Sequence, residues 1–290
     1  MKKIPVLLIV IAGILWGTSA IFANLLYPHG FSPLQITAMR GTVSAILMSL
    51  YVFFSNKKLF RINLSQLIWF ALGGLSMFLA AYFYYESMSV GSVSVAVMLM
   101  YTAPIFVMTY SVIFLGERLT PVKFISIVMV FVGCALISGI VGGAKFNLRG
   151  VVTGLLSGIS YSAYNIIAKV QISKKGNPLS ASVYCYIFMA IASFLFADIA
   201  AIFTIANTHP LYLYALIIGV GVFTVTLPYS LYTLSLKYIP VGTASALGII
   251  EPMTATVFGV AIFGEPLSLY AVIGIIFIMT AVLMLSFSKE

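Results

Sequence analysis

The sequence predicts an all-α membrane protein of ten transmembrane helices, arranged as two five-helix repeats of opposite orientation. Three observations carry that expectation. Charge is almost absent, apolar runs of spanning length follow one another with short connections, and the second half answers the first at a fixed offset. Of the 290 residues, 62% are hydrophobic and 7% charged, and the mean hydropathy is +1.15. A soluble domain averages about 25% charged residues. A chain so poor in charge cannot present a solvated surface, and lipid must be its solvent.

Crossing roughly 30 Å of hydrocarbon takes about 20 mostly apolar residues. Cut at its polar residues, Gly and Pro, the chain yields ten candidate spans: 4–27, 32–55, 64–87, 91–115, 121–140, 150–170, 179–203, 210–235, 240–263 and 268–287. The first follows Met1-Lys2-Lys3 and resembles a signal peptide. Its removal would leave nine spans and destroy the repeat, so it is read as a helix. The fourth and ninth spans carry Pro104 and Pro252 in mid-run. Each proline removes an i→i−4 hydrogen bond, and the freed carbonyls must line a cavity or be met by neighbours. Thr120-Pro121 reads as an N-cap and first-turn proline for the fifth span, and Ser268 caps the tenth. Glu117 and Glu265, just before those starts, suit the positive end of a helix dipole. The sixth span places Gly150, Gly154, Gly158 and Ser162 at every fourth position, a face that admits a neighbouring backbone.

Lys and Arg set the orientation. With the N-terminus inside, Lys2, Lys3, Lys57, Lys58, Arg61, Arg118, Lys123, Lys169, Lys174, Lys175, Lys237 and Lys289 fall at cytoplasmic ends or loops. Only Lys145 and Arg149 fall outside, and Arg40 lies within a span. Both termini are therefore expected inside, in a multi-pass protein of a bacterial-type plasma membrane. The same placement excludes nucleic acid as the partner of the +9 net charge, because the basic residues sit between apolar runs rather than along one face. Cys134 and Cys185 both lie in apolar runs, and His29 and His209 stand alone in sequence. No metal or cofactor is expected.

Shifted by 148 residues, the first half meets the second. Gly73 meets Gly221, Tyr84 meets Tyr232, Ser87 meets Ser235, Ala96 meets Ala244, Leu99 meets Leu247 and Pro104 meets Pro252. Gly116–Thr120 (GERLT) meets Gly264–Ser268 (GEPLS). Five spans per half is an odd number, so the copies face opposite ways. Many secondary transporters are built so, with the substrate site near midplane where the copies meet.

A charge at bilayer depth costs a few kcal/mol on insertion scales, so each one inside a span is a candidate for function. Arg40 and Glu251 lie deepest; Glu86 and Asp198 lie nearer outer ends. Glu251 is the candidate for a substrate ammonium or a carried proton; alternatively Arg40, or backbone groups freed at Pro252, simply hold it, and Arg40 itself reads first as structural and second as a substrate contact. Tyr82, Tyr84, Tyr85, Tyr101, Tyr161, Tyr164, Tyr229 and Trp16 lie deep, where rings wall a pocket, hold a cation or simply pack. Asn165 is also deep. The candidate substrate-binding set is Trp16, Arg40, Tyr82, Tyr101, Asn165, Tyr229 and Glu251; none is assigned to catalysis.

These residues resemble the drug/metabolite transporter superfamily, specifically its EamA type. The resemblance rests on Trp16-Gly17, the mid-span Arg40, and two copies of a Pro…Gly-Glu-x-Leu-[Ser/Thr] stretch, Pro104–Thr120 and Pro252–Ser268, the second with Glu251-Pro252. It implies two EamA-like five-helix halves, 1–145 and 146–290, around a central cavity, and export of small metabolites. Ser160 stands where the second half would match Trp16, and Cys185 roughly where it would match Arg40, so the site is asymmetric.

The expected function is a secondary transporter working by alternating access on amino acids or related zwitterions. Arg40 would complement a carboxylate, Glu251 an ammonium, and proton coupling would run through Glu251. The alternative is a carrier of organic cations or drugs, with Arg40 structural, or of another metabolite class. An intramembrane enzyme lacks a deep acid–base pair or metal-ligand set, and a channel would show a continuous polar stripe. No nucleotide-binding pattern suggests ATP drive.

Overall fold

A computed structural model describes residues 3–90, 93–114, 116, 118–137, 147–173, 177–248, 250–263 and 269–287. Among these, the chain is helical from end to end: α1 (Lys3–Gly17), α2 (Ser19–Leu26), α3 (Pro33–Ser55), α4 (Leu64–Val90), α5 (Val93–Met100), α6 (Ala103–Phe114), α7 (Pro121–Ile137), α8 (Leu148–Ser173), α9 (Pro178–Phe194), α10 (Ile199–Ala206), α11 (Pro210–Gly221), α12 (Leu227–Ser235), α13 (Val241–Leu247), α14 (Ile250–Phe263) and α15 (Leu269–Phe287). Lys2, Lys145, Lys174, Lys175, Lys289, Glu117, the stretch Gly264–Ser268 and the 145/146 boundary lie outside the described residues.

Helix starts follow local chemistry. Ser32 and Gln35 exchange hydrogen bonds in a capping box, with Pro33 in the first turn of α3. Asn63 and Gln66 do the same at α4. Asn147, Asn177 and Asp198 cap α8, α9 and α10, and Thr120 caps α7 as its sequence suggested. Gly116, two residues past α6, has φ +68°, which accounts for glycine in the GERLT stretch.

Among the described residues, five stretches are each long and apolar enough to cross a membrane: Ile4–His29, Pro33–Ser55, Leu64–Val90, Leu148–Ile172 and Pro210–Ser235. The seventh expected span, 179–203, is instead two helices bent by 94°. α9 runs out where Phe196 and Ala197 both donate to the Ser193 carbonyl, and the Asp198 cap starts α10 on a new axis. The fourth and ninth expected spans are likewise broken, between Met100 and Ala103 and between Leu247 and Ile250. At the 148-residue offset these breaks coincide to within a residue. Pro104 and Pro252 therefore do not kink continuous helices. They occupy first turns of α6 and α14, where a missing N–H leaves no helical acceptor unmet.

The principal packing pairs are α4 on α8 and α9, α7 on α15, α3 on α9 and α11, α1 on α12 and α14, and α5 and α6 on α8. Exchanging first-half with second-half elements maps this set onto itself: α4·α8 becomes α12·α1, while α3·α9 and α7·α15 map onto themselves. Close approach follows the small residues. A Cβ on Gly154 would lie 2.8 Å from Leu99, and one on Gly158 2.7 Å from the Thr102 hydroxyl, so the glycine face of α8 admits the break between α5 and α6. On the opposite half, Gly13 and Gly17 admit Ile250 and Thr254 of α14.

Buried apolar side chains gather in two clusters. One, toward the end where α1 starts, includes Ile9, Trp16, Met48, Phe70, Tyr164, Tyr186, Tyr229, Tyr232 and Leu236. The other, toward the end where α2 finishes, includes Leu26, Met39, Tyr84, Tyr85, Met88, Tyr101, Leu213 and Val220. The polar middle of the bundle lies between them.

Candidate functional site

That middle holds a small cavity of about 30 Å³ lined by Trp16, Ser19, Arg40, Ala80, Ala81, Tyr84, Met100, Tyr161, Tyr229 and Glu251. Its positioning follows from the breaks. Trp16 and Ser19 stand on either side of the α1–α2 junction, where Thr18 returns both its N–H and its hydroxyl to the Leu15 carbonyl. Met100 and Glu251 stand at the symmetric breaks, one ending α5 and the other in the first turn of α14. Small Ala80 and Ala81 on α4 leave the space that the rings opposite do not fill.

Arg40, 4% exposed, projects from α3 into this middle. Its Nη1 donates to the Tyr85 hydroxyl at 3.0 Å and its Nη2 to the Thr224 carbonyl at 2.8 Å. The guanidinium also lies 5.4 Å from the Tyr85 ring centroid. The Thr224 carbonyl is available for a definite reason. Pro228 stands four residues on and has no N–H to give it, and the backbone of Val222–Thr226 widens into π-helix. Ser44 adds a second tie from α3, donating to the Gly221 carbonyl at 3.0 Å. A guanidinium carries five N–H donors, so these bonds leave Arg40 with donors unspent. Its buried Nε has no partner among the described residues.

Glu251, 8% exposed, faces the same space. Its carboxyl meets the Tyr101 hydroxyl, with Arg40 the near cation. Trp16 forms the wall toward the α1 start, edge-on to Tyr229 at 4.9 Å and Tyr161 at 6.1 Å. Tyr164 packs behind, 5.2 Å from Tyr229, with its hydroxyl 3.0 Å from that of Thr233. Further toward that end, Lys169 donates to the Leu236 and Ile239 carbonyls, both at 3.1 Å, and so caps α12 from α8.

Of the seven sequence candidates, Trp16, Arg40, Tyr229 and Glu251 line the cavity, and Tyr101 reaches it through Glu251. Tyr82 stacks on Phe78 at 6.1 Å, away from it, and Asn165 is fully buried in α8 without lining it. Glu86 pairs with Arg149, joining the end of α4 to the start of α8, and Asp198 is a helix cap. His29 and His209, isolated in sequence, meet edge-on at 6.0 Å. Sequence reasoning missed Ser19, Ala80, Ala81 and Met100, which carry no polar depth signal. It also passed over Pro228, although a proline inside the 210–235 run was legible.

An all-helical bundle with an inward-facing cation, an inward-facing carboxyl and a ring-walled central cavity defines a multi-pass membrane transporter of small molecules. The chain belongs to the EamA-like transporter family, whose model matches it twice, over residues 3–139 and 148–287. An uncharacterized transporter of Clostridium kluyveri is 26% identical over 295 residues, covering 96% of this chain and 91% of that protein. An uncharacterized transporter of Archaeoglobus fulgidus is 29% identical over 206 residues, 71% of this chain and 72% of that one. The threonine/homoserine exporter RhtA of Salmonella typhimurium is 27% identical over 266 residues, 91% of this chain and 85% of that one. A crystal structure of a protein 18% identical in sequence superposes with a TM-score of 0.76 over 97% of this chain and 95% of that chain. That likeness concerns the fold.

Proposed function

We propose that the chain is a secondary carrier that exports small zwitterions, amino acids or close relatives, by alternating access around the central cavity. The observation that carries this reading is that Arg40 and Glu251 line one space. Empty, the pair balances its own charge. An amino acid adds one carboxylate for Arg40 and one ammonium for Glu251, and the sum stays zero. An organic cation would leave a net charge in a low-dielectric site, at a cost of a few kcal/mol on insertion scales. RhtA, a relative named as an exporter of threonine and homoserine, points the same way.

The two family matches, the exchange-symmetric packing and the coinciding breaks support residues 1–145 and 146–290 as two five-helix repeats. The excess of Lys and Arg at one end supports an orientation with both termini in the cytoplasm of a bacterial-type inner membrane. Proton coupling, where it occurs, falls to Glu251.

The test is counterflow in liposomes with labelled amino acids and, separately, organic cations. Saturable counterflow of amino acids, lost or weakened at least about tenfold in Glu251→Gln, is the expected result. Counterflow of organic cations alone, unaffected by Arg40→Gln, sinks the zwitterion reading.

A further inference from the structure

Pro228 is not among the residues that line the central cavity, yet the sequence places it inside the long apolar run 210–235. Unlike Pro104 and Pro252, it opens no independent half-helix after a break in the span. Residues Pro210–Ser235 cross as one piece with the π-helical turn just before it. In such a place a proline leaves the carbonyl one turn earlier without its helical donor, and its ring presses on that same carbonyl. A buried carbonyl so orphaned is destabilising unless another donor reaches it. Here the donor is Arg40, 2.8 Å from the Thr224 oxygen.

We propose that Pro228 is a positioning residue for Arg40. By withholding an N–H from Thr224 it supplies a fixed backbone acceptor that orients the guanidinium and sets the carrier's affinity for carboxylates. The inference rests on the reading of Arg40 as the carboxylate partner. The mechanism uses only bonds already described. Nη2 is anchored on the Thr224 oxygen and Nη1 on the Tyr85 hydroxyl, which fixes the plane of the guanidinium between α4 and the π turn. Nε, buried and without a hydrogen-bond partner among the described residues, is then held in place rather than free to swing. Ser44 and Gly221 hold the two backbones in register, for a Cβ on Gly221 would lie 2.5 Å from Val43. An alanine at 228 would donate to Thr224 itself, close the π turn and compete with Arg40 for the one oxygen.

The test is counterflow by the full-length chain in liposomes, comparing Pro228→Ala, Arg40→Gln and the double variant. L-threonine serves as the zwitterion and its amino alcohol, which lacks the carboxylate, as the comparison. Pro228→Ala is expected to raise the half-saturating threonine concentration about tenfold, the loss of one hydrogen bond to a charged group. Its half-saturation for the amino alcohol stays within about twofold, and in the Arg40→Gln background it adds less than about twofold, because coupled residues are not additive. Equal changes for both compounds, or a full additional effect on top of Arg40→Gln, would overturn the proposal and leave Pro228 a packing residue. Hydrogen exchange covers the case in which Pro228→Ala does not fold. In the parent fold, Arg40→Gln is expected to speed exchange of the 222–229 segment at least about threefold, since the π turn loses its tie. Unchanged exchange overturns the proposal. Absence of threonine counterflow in the parent chain removes the transport reading and its affinity argument, while the exchange result still decides whether Arg40 holds the π turn.

Discussion

Arg40 carries most of the chemistry at the scale of single residues, and its identity as arginine matters. A guanidinium spans two anchors and retains further donors, whereas an ammonium is a compact point charge. Arg40→Lys is therefore expected to keep the positive charge yet raise half-saturation for a carboxylate substrate about tenfold, read from counterflow. Unchanged affinity would mean that charge alone suffices and that the bonds to Tyr85 and Thr224 are incidental. Tyr85→Phe gives a graded version of the same argument. It removes the Nη1 acceptor but leaves the Thr224 anchor, so its effect should be smaller than that of Arg40→Gln. A Tyr85→Phe loss as large as that of Arg40→Gln would place the essential contact on the phenol.

Glycine at the α8 seam sets the argument at the scale of elements. A Cβ at Gly154 meets Leu99 at 2.8 Å, and a Cβ at Gly158 meets the Leu99 and Met100 carbonyls at 3.0 and 3.2 Å. Backbone cannot yield as a side chain can. Gly158→Leu is expected to lower stability by about 2 kcal/mol or more, read as a fall in melting temperature in detergent. Gly30, with φ +93° and open space around it, separates packing from conformation. Gly30→Ala costs only the left-handed penalty, about 1–2 kcal/mol. Such packing was legible in the sequence because Gly and Ser at every fourth position have no other physical use along a spanning helix. So were the ends of the five spanning stretches, each expected within about three residues of where it falls, because lipid allows few ways to satisfy a backbone. The breaks were legible only in part. Pro104 and Pro252 marked their places, but a proline alone does not tell a kink from a first turn. The bend at Asp198 had only a short polar signal within an apolar run. At the site, charge and ring at depth revealed Arg40, Glu251, Trp16 and Tyr229. Ser19 and the alanines line the cavity by virtue of which helix faces inward, and apolar sequences with polar residues on no consistent face do not disclose that.

At the scale of the whole molecule, each end of the cavity is bounded by its own set of contacts among the described residues. Toward the α2 end, Tyr27 donates to the Tyr85 carbonyl and Phe22 stacks on Phe223 at 6.4 Å. Toward the α1 start, the rings of Trp16, Tyr161 and Tyr229 shut the floor, and beneath them α8 meets α12 through two polar ties, Tyr164 to Thr233 and Lys169 to the Leu236 and Ile239 carbonyls. Alternating access requires one of these ends to part while the other holds. The α8–α12 seam is the weaker candidate for permanence, because it is held by hydrogen bonds rather than by the backbone contact that joins α4 to α8. Lys169→Met keeps the side chain's length and apolar stem but removes the donor to both carbonyls. It is expected to shift the equilibrium toward a state open at the α1 end. With Cys134 and Cys185 replaced by serine, a cysteine at Ala80 reports access to the cavity. A membrane-impermeant thiol reagent should label it faster in Lys169→Met than in the parent, by about fivefold for a coupling of about 1 kcal/mol, and only from the side where α1 starts. Comparing inside-out with right-side-out vesicles identifies that side, and the excess of Lys and Arg there predicts the cytoplasmic one. Faster labelling from the opposite side, or no change, would show that Lys169 caps α12 and takes no part in closing the cavity.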